Sequence, residues 1–119
     1  MKLGLGNYGA WTSRTSASDI NWRSVTFGNN IFVAVASAGA STSNVMTSPN
    51  GTTWTIRTSA AGISWESVCF GNGLFVAVST SGTGNRVMTS PDGITWTSRT
   101  SAADNDWISV IYGNGLFVA

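Results

Sequence analysis

The chain has 119 residues, only 9% of them charged, and six Lys plus Arg against five Asp plus Glu leave a net charge of +1. So small an imbalance gives no long-range field to gather nucleic acid or an anionic membrane, and neither is expected as a partner. With no histidine and one cysteine, Cys69, the chain can form neither an internal disulfide nor a Cys/His zinc cluster.

The first residues, Met1-Lys-Leu-Gly-Leu-Gly-Asn-Tyr, lack an apolar run long enough for a signal-peptide core, and nothing later approaches a membrane span. A soluble chain is expected, with its compartment left open. Abundant Gly, Ser, Thr and Asn make the uncharged, turn-rich mixture of an all-β protein, and six tryptophans supply apolar area that a disordered chain lacks.

Those tryptophans set a period. Trp11, Trp54 and Trp96 are 43 and 42 residues apart, and Trp22, Trp65 and Trp107 repeat the same spacings. The one-residue difference falls between Trp22 and Trp54, most simply in the polar loop 36–44, which corresponds to 79–86. A period in the low forties is the length of one four-stranded propeller blade. The predicted fold is therefore an all-β propeller with three blade equivalents per chain. Residues 1–18 hold strands C and D of one blade, 19–61 and 62–103 are complete blades, and 104–119 hold strands A and B of another.

Within a unit, strand A is Trp22–Phe27, repeated at Trp65–Phe70 and Trp107–Tyr112. The following Gly-Asn-Asn or Gly-Asn-Gly signals a hairpin whose primed turn needs positive φ. Strand B runs from Ile31, Leu74 and Leu116 and is apolar at every position, as expected where both faces are buried. Strand C is Val45–Ser48 and Val87–Ser90, and a Pro-Asn-Gly or Pro-Asp-Gly turn leads to strand D, Thr-Trp-Thr-x-Arg-Thr, the most polar and so the outermost.

The segments Ser48-Pro-Asn-Gly-Thr-Thr-Trp54 and Ser90-Pro-Asp-Gly-Ile-Thr-Trp96 resemble the Asp-box of sialidase-type and photosystem assembly factor-type β-propellers, although they are one residue short between Asp and Thr. In the N-terminal copy only Asn7 and Trp11 remain. That resemblance implies a structural role for Asn7, Asn50 and Asp92 in the turn between the third and fourth strands. The side-chain oxygen accepts hydrogen bonds from its own turn and the tryptophan packs over it. No catalytic residue is expected. Glu66 is the only glutamate, neither tyrosine lies near it in the pattern, and Cys69, matched by Thr26 and Ile111, lacks a histidine to activate it.

Candidate ligand contacts lie in the D-to-A loops. Asp19 and Asp104 match each other, as do Asn21 and Asp106, beside Trp22, Trp65 and Trp107. An indole face with neighbouring polar groups suits a sugar, so a lectin-like binding module is expected, with blade packing and loop solvation as the plainer reading. Asp104 and Asp106 alone make no calcium site, and no metal or cofactor is expected. Arg14, Arg57 and Arg99 share one place, as anion contacts or as solvated outer-strand charges. Three blades are too few for a ring of the usual size, about four to eight. Closure by a homodimer of six blades is expected ahead of a homotrimer, and a structural or engineered scaffold without a ligand is the alternative function.

Overall fold

Runs of β-branched and aromatic residues separated by Gly and Asn turns become ten strands, with no helix among the described residues, 10–38 and 40–119 of this computed structural model. The strands are β1 (Trp22–Gly28), β2 (Ile31–Ala36), β3 (Val45–Ser48), β4 (Thr55–Arg57), β5 (Trp65–Gly71), β6 (Leu74–Ser79), β7 (Val87–Ser90), β8 (Thr97–Arg99), β9 (Ile111–Gly113) and β10 (Leu116–Val118). They form antiparallel sheets ordered β1-β2-β3-β4 and β5-β6-β7-β8, with β9 and β10 as a two-stranded third. The first two share one register, from Phe27↔Phe32 and Phe70↔Phe75 to a bulge after Trp22 and Trp65.

Each A-to-B hairpin turns on two residues with positive φ: Asn29 and Asn30, Asn72 and Gly73, Asn114 and Gly115. This is the geometry that a two-residue primed turn demands. The glycine before each pair, by contrast, ends the strand.

The sheets stack face to face, and their order along the chain is their order in the stack. Val33, Val35 and Val45 of the first sheet pack against Trp65, Val68, Phe75, Ala77 and Met88 of the second. On the second sheet's other face, Val76 and Val78 pack against Val110. Strand β6 thus buries alternate side chains against different neighbours, which is why its sequence is apolar from Leu74 to Val78. Each such side chain stabilises by roughly 1.5–3 kcal/mol.

A repeated lock joins the sheets. The Phe70 ring lies on Gly28, and the Tyr112 ring on Gly71, so closely that a Cβ on either glycine would fall within the ring. Beside each ring a serine accepts a backbone N–H from the next sheet: Ser24 from Val68 at 3.2 Å and Ser67 from Val110 at 3.1 Å.

Two stretches differ from expectation. Strand A was expected over Trp107–Tyr112, but β9 begins only at Ile111, because β10 pairs no further than Val118↔Ile111 and offers Trp107–Val110 no ladder partner. Thr12–Arg14, the counterpart of β4 and β8, forms no strand. Strand C of that unit and Asn7 lie outside the described residues.

Candidate functional site

The two Asp-box-like turns are closed by their own side chains. Asn50 Oδ1 accepts the backbone N–H of Thr52 and Thr53, both at 2.9 Å, while Ser48 Oγ accepts those of Asn50 and Gly51 at 3.2 and 2.8 Å. Asp92 does the same with Ile94 and Thr95 at 2.8 Å, and Trp54 and Trp96 donate from Nε1 to the carbonyls of Gly51 and Gly93. Hydrogen bonds from Thr95 and Ile94 hold the Asp92 carboxyl below its usual range. All of this is spent within the turn.

The three tryptophans expected beside a ligand each donate from the indole N–H to their own loop, and they differ in exposure. Trp65 is fully buried in the core between the first two sheets, so it offers no face for stacking. Its Nε1 donates to Ala61 O at 3.1 Å, and Trp22 and Trp107 make the matching bonds to Ser18 O and Ala103 O at 2.9 and 3.1 Å. One indole thus caps each D-to-A loop, and its polar edge is already engaged.

The acidic loop residues separate into two groups, with no hydrogen bond joining them among the described residues. Asp19 and Asn21 are exposed ahead of β1. Asp104 and Asp106 converge on Arg86, which sequence reasoning left in an unremarkable loop. Its Nη1 donates to Thr80 O, Asn105 O and Asp106 Oδ1 at 3.1, 2.9 and 3.1 Å, and its Nε to Gly82 O at 2.9 Å. Asp104 Oδ1 lies 3.7 Å from Arg86 Nε and accepts the Gly84 N–H at 2.7 Å. The arrangement ties the B-to-C loop of the second sheet to the loop leading into the third. Asn44, the counterpart of Arg86, does this with one bond, from Nδ2 to Ile63 O at 3.1 Å. A signal was available, since Arg86 is the only charged residue in either B-to-C loop.

Arg57, Arg99, Glu66 and Cys69 are also accounted for locally, while Arg14 is exposed ahead of β1. Arg57 and Arg99 donate from Nε to Thr47 Oγ1 and Thr89 Oγ1, each at 2.9 Å, which lays both guanidiniums along their own sheets. Glu66 pairs with Arg23 across the first two sheets at 2.8 Å. Burial raises the Cys69 thiol pKa, so the group is neutral and poorly nucleophilic near neutral pH. No three His, Cys, Asp or Glu side chains converge on a common point among the described residues.

A groove of about 360 Å³ opens on the outer face of the first sheet, lined by Trp22, Val25, Ala34, Met46 and Trp54 together with Arg23 and Ser24. Comparison with protein-family models, with curated proteins and with solved structures finds no match to this chain.

Proposed function

We propose that the sheets are blades of a β-propeller completed by self-association, and that the closed ring is a non-catalytic scaffold. The observation that carries this reading is the incomplete third sheet. Two sheets have strands A to D, whereas β9 and β10 supply only A and B, and among the described residues β10 has no partner on its other edge. An unpaired edge is a template for another chain. The first eighteen residues carry the pattern of strands C and D, so one copy's N-terminal segment suits the edge of another's β10. Two copies would then make six blades, within the usual size range.

A second reading adds a ligand. Asp19, Asn21, Asp104 and Asp106 are exposed on D-to-A loops, so a ring would display polar groups around one rim, where weak glycan contacts gain strength by avidity. Trp65 does not support it, being buried.

Light scattering tests the assembly, with a mass near twice the 12.4 kDa of one chain expected. A monomer at micromolar concentration would overturn it. A glycan array separates the two roles: a scaffold gives background signal only, and saturable binding lost in an Asp104→Ala/Asp106→Ala variant would favour the lectin-like reading.

A further inference from the structure

The two ends of the stack expose faces that the middle of the stack buries. Val68 and Val110 are 5% and 4% exposed, yet Val25, one period earlier, is 59% exposed. On the opposite side Val33 and Val76 are 0% and 6% exposed, yet Val118, one period later, is 55% exposed. The groove on the first sheet follows the same rule. Its lining residues Trp22, Val25, Ala34, Met46 and Trp54 have as counterparts Trp65, Val68, Ala77, Met88 and Trp96, all of which pack in the core between the first two sheets. An apolar surface left open on a folded chain marks an interaction site.

The lock between sheets is also left half made at each end. Phe70 sits on Gly28 and Tyr112 on Gly71, but a Cβ on Gly113 would meet nothing within 4 Å. Phe27, the first aromatic of this series, has no such glycine beneath it among the described residues and is 53% exposed.

We infer that the outer face of β1 of a second copy of this chain docks on the outer face of β9 and β10, with the second copy's Phe27 seated on Gly113. The occupant is specified because the chain already makes this interface twice within itself. Val25 of the second copy would then cover Val118 and Ile111 as Val68 covers its own neighbours. Its Val25 N–H would reach Ser109 Oγ, as Val68 reaches Ser24 and Val110 reaches Ser67. Such a contact is heterologous, joining unlike surfaces, so it propagates around a ring or along a fibre and has no two-fold self-complement.

This inference deepens the self-association reading and rests on it. The test compares the mass of wild type with those of Gly113→Leu, which fills the seat, and Phe27→Ala, which removes the knob, with circular dichroism to check the fold. Gly113 has no positive φ and open space around it, so the leucine is accommodated in the free chain. Each variant is expected to weaken association by at least about tenfold while the fold persists. A wild-type monomer overturns both readings. An oligomer unchanged in Gly113→Leu overturns this seat alone and leaves edge pairing at β10 standing. Should Gly113→Leu fail to fold, Phe27→Ala decides, and unchanged association there overturns the seat.

Discussion

Asn50 and Asp92 occupy the same turn position and make the same pairs of backbone hydrogen bonds, so the chain carries its own comparison of a neutral with a charged acceptor. Because the folded pKa of Asp92 lies below its unfolded value, its stabilising effect is complete above the ordinary carboxylate range and is lost as pH falls through the folded value. Asp92→Asn is expected to change neutral-pH stability by less than about 0.5 kcal/mol. It should also blunt the loss of stability between pH 7 and about pH 3, read by urea melts. Undiminished acid sensitivity would show that the turn's charge is irrelevant. Two neighbouring glycines separate conformational strain from contact in the same way. Gly73, at φ 74°, has no atom near a would-be Cβ, whereas Gly71 lies under the Tyr112 ring without positive φ. Gly73→Ala and Gly71→Ala are each expected to cost about 1–2 kcal/mol, the first from left-handed backbone and the second from overpacking. Tyr112→Ala should relieve only the second, and a double-mutant cycle without coupling between Gly71 and Tyr112 would refute the lock.

At the scale of elements, what was legible in the sequence is what the backbone decides locally. The Asn-Gly turns fix hairpins because few residues tolerate positive φ at two successive positions, and the run 74–78 of β6 reads as doubly buried because no position in it is polar. Strand order followed from these. Two things were not legible, both because they depend on which surfaces meet. Indoles at one place in the period have one chemistry, yet Trp65 is sealed in the core while Trp22 lines an open groove, since Trp65 has a sheet ahead of it and Trp22 has none among the described residues. Likewise Arg86 looks like loop solvation until the next D-to-A loop folds against it and presents Asn105 O and Asp106. The aromatic-glycine pairs Phe27-Gly28, Phe70-Gly71 and Tyr112-Gly113 were visible as letters. Their meaning was not, because the ring of one pair belongs to the glycine of the preceding one.

For the whole molecule, the unequal completion of the three sheets predicts unequal stability. β2 and β6 are central strands, each paired on both sides, and their side chains are largely buried. Among the described residues β10 has one partner and three ladder positions, with Leu116 and Val118 exposed. A two-stranded hairpin is marginal in water, and the packing of Tyr112 and Phe117 against the second sheet is its main support. Local opening of β10 should therefore lie far below the global unfolding free energy while the chain is alone. Docking of a second copy and strand addition at the β10 edge would each stabilise the form that binds, by an amount that grows with concentration. Amide exchange in Leu116–Val118 is thus expected to be fast in dilute protein and to slow by at least about tenfold as concentration rises through the association range. Amides of β2 and β6 in the same samples should not respond in that range. If β10 were as protected as β6 at the lowest concentration, the third sheet would need no partner, and self-association would lose its physical motive.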